Sequence, residues 1–158
     1  MNARIVAVGK LRERWQRDAC DEYLKRLGRY GQVSVAEVKD LPEPDKPVKA
    51  LEERVLREEG RALLKHIGER DFAVALCVRG DAPDSVEFAG MLSRMMREGR
   101  PLVFVIGGSL GLSEEVLSRA DTRVSMSNMT FPHALSRVVL LEQMYRAARI
   151  GANERYHK

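Results

Sequence analysis

Five consecutive apolar residues, Leu102-Val103-Phe104-Val105-Ile106, run straight into Gly107-Gly108-Ser109-Leu110-Gly111-Leu112-Ser113. A buried strand followed by glycines lets a ligand approach the backbone closely, and in parallel α/β sheets ligands bind beyond the C-terminal ends of the strands. The spacing fits neither G-x-G-x-x-G nor G-x-x-x-x-G-K-[ST], and no lysine follows, so neither a dinucleotide fingerprint nor a P-loop is present. A plain tight turn and a ligand loop fit this stretch equally well.

Outward from it, apolar periodicity alternates strand and helix. Ile5 to Val8 reads as a short buried strand, and Glu13 to Leu27 as a helix with Trp15, Ala19, Tyr23 and Leu27 on one face. Val33 to Val38 is a second strand, followed by the proline-rich loop Leu41 to Pro47. Val48 to Ile67 is an amphipathic helix with Leu51, Val55, Leu63 and Ile67 inward and Gly68 as its stop signal. Phe72 to Val78 is the next strand. Asp84 or Ser85 caps a helix carrying Phe88, Leu92, Met95 and Met96, the methionines as core filler, and this helix ends near Gly99. Ser113, with Glu114 and Glu115 behind it, starts a short helix, and Thr122 to Ser127 is the last strand. Pro132 opens a final helix whose apolar positions cover more than one stripe and therefore need two partners. This alternation predicts an α/β fold with a mostly parallel sheet flanked by helices, in a single domain over residues 1–158.

Apolar residues make up 44% of the chain and charged residues 32%, enough to bury a core and unlike the composition of disordered chains. No apolar run comes near the roughly 18 residues that cross a bilayer. The start of the chain lacks the features of a secretory signal, so a cytoplasmic location with no membrane partner is expected. Cys20 and Cys77 have no metal-like spacing and read as small buried hydrophobes; no metal is expected. The net charge of +4 is unevenly spread: residues 1–31 hold 8 Lys/Arg against 4 Asp/Glu, residues 119–158 hold 7 against 3, and the middle is acidic. Two basic ends brought together would suit a polyanion such as RNA, while each end alone reads as a solvated helix face.

The segment Met126-Ser127-Asn128-Met129-Thr130-Phe131-Pro132-His133 follows the last strand and should lie at the same sheet edge as the glycine turn. Its backbone groups and its Met and Phe side chains could hold an adenine without charged contacts. His133 falls in the first turn of a helix, where the positive dipole end disfavours its cation, and His66 reads as solvated. The tail from Gly151 holds Arg155, Tyr156, His157 and Lys158, a set suited to proton removal and anion contact, although chain ends are also where disorder concentrates.

Taken together, Ile106-Gly107-Gly108 with Gly111, Met129-Thr130-Phe131-Pro132-His133, Leu141-Glu142-Gln143-Met144-Tyr145-Arg146-Ala147, the terminal Tyr156-His157-Lys158 and the opening Val6-Ala7-Val8-Gly9-Lys10 resemble the ribosomal RNA large subunit methyltransferase H family over essentially the whole chain. The resemblance implies a SPOUT-class methyltransferase with a C-terminal deep trefoil knot, acting as a homodimer. It implies S-adenosylmethionine as donor, leaving S-adenosylhomocysteine, and methylation of N3 of a pseudouridine in the helix 69 loop of 23S rRNA in the assembled ribosome. Carried over by position, the cofactor pocket is Leu76, Gly107, Gly108, Met126, Ser127, Asn128, Met129, Thr130 and Phe131, and the catalytic tail is Tyr156, His157 and Lys158. Relatives often carry His-Pro before the Tyr-His pair and Arg after it; here Glu154-Arg155 precede it and Lys158, which lacks arginine's bidentate fork, follows. The alternatives are a catalytically inactive ribosome- or RNA-binding protein and a SPOUT methyltransferase acting on another RNA.

Overall fold

A computed structural model describing residues 1–44 and 46–156 alternates strand and helix throughout. The elements are β1 (Asn2–Val8), α1 (Arg14–Leu27), β2 (Gln32–Val38), α2 (Lys49–Leu64), β3 (Phe72–Asp81), α3 (Ser85–Arg97), β4 (Leu102–Ile106), α4 (Glu114–Arg119), β5 (Thr122–Val124) and α5 (His133–Gly151). The strands form one sheet in the order β2-β1-β4-β3-β5, with every neighbouring pair parallel. β4 is central: Phe104 is in register with Ile5 of β1 on one side and Val74 of β3 on the other.

Both faces of the sheet are covered, which is why β4 and the Ile5–Val8 part of β1 read as unbroken apolar runs; β1 itself starts earlier than that run, at Asn2. Ala3, Ile5, Leu102, Phe104 and Ile106 pack with Leu27 of α1, Phe88 and Leu92 of α3, and Leu140 and Met144 of α5. The alternate residues Val6, Val8, Val103 and Val105 meet Leu63 of α2 and Val116 of α4 on the opposite face. The two partners required by α5 are α1 and α3, between which it lies.

The expected caps form. The Asp84 carboxylate accepts from the backbone N–H groups of Val86 and Glu87 while Glu87 accepts from that of Asp84, and Ser113 caps α4. Several boundaries and faces differ from expectation. α2 ends at Leu64, and Gly68 instead donates its N–H to the Asp71 carboxylate in the turn beyond. β3 continues to Asp81 because Gly80, where a Cβ would stand 2.5 Å from the Val124 carbonyl carbon, lets the two backbones close; Ser125 N–H then donates to Asp81 O. β5 stops at Val124, short of Ser127.

Trp15 is 55% exposed, not inward. A column of i, i+4 positions drifts by about 40° per step, so by three steps from Leu27 it has rotated away from the sheet. Leu51 is also exposed, beside the proline-rich loop, and of the methionine pair only Met95 is buried, its neighbour on the helix pointing outward.

Candidate functional site

A cavity of about 480 Å³ opens at the C-terminal ends of β3, β4 and β5. Its first wall is the glycine turn after β4. A Cβ on Gly107 would sit 2.1 Å from the carbonyl oxygen of Gly111, so only glycine lets the turn fold back this closely. Gly111 N–H donates to Gly108 O at 3.1 Å, and Gly111 has φ +88°, a left-handed conformation suited to glycine.

The opposite wall is the loop between β5 and α5, stitched by hydroxyls. Ser125 Oγ donates to Ser127 O at 2.8 Å, and Met129 N–H donates to Ser127 Oγ at 3.0 Å. Leu76, Gly107, Gly108, Met126, Ser127, Met129, Thr130 and Phe131 all line this one cavity. Asn128, exposed at the loop tip, does not. Sequence reasoning missed Cys77 and Val78 at the end of β3, and on the first turn of α5 it missed Ser136 and kept His133, the last residue of the adjoining segment, as a structural residue only. The i, i+3 spacing of His133 and Ser136 was the available signal for the latter pair. Cys77 is only half-buried, on the cavity wall rather than in the core; Cys20 is in the core.

Among the described residues, no Lys, Arg, Asp or Glu lines the cavity. Apolar walls from Leu76, Ile106, Leu112 and Phe131, with hydroxyls and backbone groups between them, suit a flat, uncharged heterocycle. They present no cation to answer a phosphate and none to repel a sulfonium. His133 is held below the usual histidine range by burial first and by the nearby Arg137 charge second, with Asp40 opposing, so its imidazole stays neutral.

Two charged groups brace the site from behind. The Arg137 guanidinium of α5 is 1% exposed; it donates to Gly9 O at 2.9 Å and to the Glu37 carboxylate, tying the start of α5 to the ends of β1 and β2. Glu59 of α2 is buried beneath the glycine turn, and a Cβ on Gly108 would lie 2.7 Å from its Oε2. Its Oε1 accepts from Leu41 N–H at 2.9 Å, and burial pushes its carboxyl above the usual range.

The tail lies elsewhere. Tyr156 folds back on α5, its phenol donating to Glu142 Oε1 at 3.2 Å and its ring edge-on to Tyr145 at 5.0 Å. The guanidinium of Arg146 stands 4.8 Å from the ring centre. Burial, then hydrogen bonding, pushes the phenol up to about 12, so it is protonated where it sits. Glu142 is nine residues beyond His133, about 14 Å along the helix, and Tyr156 does not line the cavity. His157 and Lys158 lie outside the described residues.

No group of three or more metal-ligating side chains and no helix able to cross a membrane occurs among the described residues. The family model described as "Predicted SPOUT methyltransferase" matches residues 1–157. The chain is 47% identical, over the full length of both, to "Ribosomal RNA large subunit methyltransferase H" of Clostridium botulinum strain Langeland. It is 48% identical, again over the full length of both, to the protein of the same name from Bifidobacterium animalis subsp. lactis. A crystal structure titled as a probable methyltransferase from Bordetella pertussis Tohama I shares the fold, with TM-score 0.57 over 93% of this chain and 94% of that one at 15% identity. A full-length family match and relatives at this identity leave one assignment: the chain belongs to the SPOUT methyltransferase family.

Proposed function

We propose that this protein is an S-adenosylmethionine-dependent methyltransferase of large-subunit ribosomal RNA, acting on N3 of a pseudouridine in the helix 69 loop of the assembled ribosome. The observation that carries the reading is the uncharged cavity beyond the central strands, walled by the two loops that the sequence singled out. Full-length relatives named as ribosomal RNA large subunit methyltransferases support the substrate class.

Bound S-adenosylmethionine supplies a methyl group already activated on a sulfonium, so the protein has to position the acceptor and receive a proton. In the reaction the N3–H bond would break and an N3–CH₃ bond form as the donor's sulfur–methyl bond breaks, so that S-adenosylhomocysteine and a proton would be left. The apolar walls at Leu76, Ile106 and Phe131 would enclose the adenine, and the backbone around Gly107 and Met126 to Phe131 would offer the polar contacts that orient it. His133, neutral at the rim, would add no positive charge to a cavity that holds a sulfonium.

The proton falls to the tail. Tyr156, as docked on Glu142, is a protonated phenol away from this chain's own cavity, so for Tyr156 to take the proton it must either leave that dock or serve the cavity of a second subunit; His157 and Lys158 share the proposed role. The protein works in this reading as a cytoplasmic homodimer, a single SPOUT domain with the knot of its class and no metal.

The test is methyl transfer from labelled S-adenosylmethionine to ribosomes from a strain lacking the modification, with the labelled base mapped. Label on N3 of a pseudouridine in the helix 69 loop is expected. Cofactor binding without transfer to those ribosomes would overturn the substrate, and absence of both would leave an RNA-binding protein.

A further inference from the structure

We propose that the corner formed by the β1–α1 loop and the first turn of α1 is the surface on which the substrate RNA rests, with Trp15 as a stacking platform for a base and Lys10, Arg12 and Arg14 facing its phosphates. This deepens the reading of the protein as an rRNA methyltransferase and rests on it.

The corner adjoins the cavity. Gly9 closes β1 at the sheet edge where the cavity opens, and a Cβ on it would lie 3.5 Å from Nε2 of His133, a lining residue. The chain leaving Gly9 therefore starts at the cavity rim. Within residues 10–17 stand four cations, Lys10, Arg12, Arg14 and Arg17, against one acid, Glu13, and all five are exposed. Two of these charges are partly answered from outside the segment: Arg12 by Asp40 at 3.2 Å and Arg14 by Asp18 at 3.5 Å, in pairs exposed enough to be weak. The Arg17 guanidinium instead donates to the carbonyls of Leu11 and Arg12, at 2.8 and 2.6 Å. It fixes the loop's shape while its own charge remains unneutralised.

In the middle of these cations Trp15, the chain's one tryptophan, exposes over half its surface. A single exposed apolar side chain is ordinary on a protein surface; what marks this one is that it is a tryptophan set among cations, so that a flat ring stands beside positive charge. Positive charge interleaved with an exposed ring is the arrangement that binds unpaired nucleotides, the phosphates held by Lys and Arg and a base stacked on the ring. Set against its own copy in a second chain, this patch would meet the same excess of positive charge, whereas RNA brings the opposite charge.

The test compares wild type with Trp15→Ala, Trp15→Phe and the double variant Lys10→Ala/Arg14→Ala. Co-sedimentation with ribosomal particles lacking the modification gives binding, methyl transfer gives KM and kcat, calorimetry gives cofactor affinity and light scattering gives oligomeric state. Trp15→Ala should weaken particle binding about 10- to 100-fold and raise KM in step, with cofactor affinity and oligomeric state unchanged, and Trp15→Phe should recover most of the loss. The double variant should lower the slope of log affinity against log salt by about two. Wild-type binding by Trp15→Ala, or a change in its oligomeric state, would overturn the proposal, the latter marking a contact between copies. If wild type transfers methyl while Trp15→Ala binds unchanged, the surface fails and the enzyme reading stands; if binding depends on Trp15 but no methyl is transferred, the reverse holds.

Discussion

Replacing Gly107 with alanine tests whether the glycine turn shapes the cofactor cavity. The added Cβ would stand 2.1 Å from the Gly111 carbonyl oxygen and 2.5 Å from its carbon, both backbone atoms with no rotamer to yield. Ordinary contact needs roughly 3.5 Å, so the turn must open by about 1 Å or more. The larger Gly107→Val would do the same, distorting the turn and not merely filling space beside an intact backbone. Overpacking of this kind costs about 1–3 kcal/mol, and at 2–4 °C per kcal/mol for a chain of this size Tm should fall by about 2–12 °C. Because the turn is a cavity wall, a displacement near 1 Å should also lower methyl transfer about 100-fold and weaken S-adenosylmethionine binding. Gly99→Ala is the control: Gly99 has φ +71° with nothing within 4 Å of its Cβ position, and it does not line the cavity. It should lose about 1–2 kcal/mol through backbone strain alone and keep its cofactor affinity. Calorimetric titration with S-adenosylmethionine and thermal melts read both. Wild-type affinity and turnover in Gly107→Ala would refute the argument that this turn shapes the site.

Arg137→Met removes two charge-assisted hydrogen bonds, to Gly9 O and Glu37, and should cost about 3 kcal/mol, a Tm drop of about 6–12 °C. Adding Glu37→Gln to it should cost clearly less than Glu37→Gln alone in a melt-based double-mutant cycle. His133 resists protonation when folded, so below its unfolded value of 6.5 the unfolded chain binds more protons and stability falls as pH drops through that point; His133→Gln should flatten this part of the Tm–pH curve. Glu59 has the opposite sign. Its folded carboxyl keeps its proton above 4.5, so its contribution to stability is lost as pH rises from there through the raised folded value, and Glu59→Gln should be stabilised relative to wild type at pH 8 but not near pH 4. Asp84→Ala, which breaks the capping box of α3, should lower stability by about 1 kcal/mol in denaturant melts and leave cofactor affinity alone.

The layers of the fold were legible because burial on both faces of β1 and β4 leaves a continuous apolar run, and because Asp84 and Ser113 mark helix starts by chemistry that acts within one turn. Features set by distant partners were not. Trp15 satisfies the same i, i+4 pattern as Leu27, and only the rotation of α1 against the sheet decides that one is covered and the other bare. Gly80 gave no sign that it would let β3 run on beside β5, since that depends on how closely Val124 approaches. The closing of α1 on α5 brings the two basic ends of the chain together, but along that seam the cations meet Glu22, Glu142 and Glu154, which a count by segment cannot show.

The site was half legible for a reason that lies in strand order. The glycine turn follows β4 and the methionine-rich loop follows β5, and the alternation of elements puts both at one sheet edge without saying what stands between them. In the sheet it is β3, inserted between β4 and β5, so the end of an earlier strand becomes part of the wall joining the two loops. Cys77 and Val78, ordinary core residues by composition, thereby become cavity lining, while Leu76 joins it at the level where β3 is in register with Ile106 and Val124. The same insertion makes the cavity sensitive to residues that never touch it. Its two loops share no direct strand pairing, so we expect their separation to depend on the sheet below and on Arg137, which clamps the start of α5 to the ends of β1 and β2. If that holds, Arg137→Met should weaken cofactor binding beyond what its stability loss explains, measured well below its lowered Tm, whereas Asp84→Ala should not. Equal cofactor affinity in the two folded variants would mean that the loops hold their spacing without the clamp.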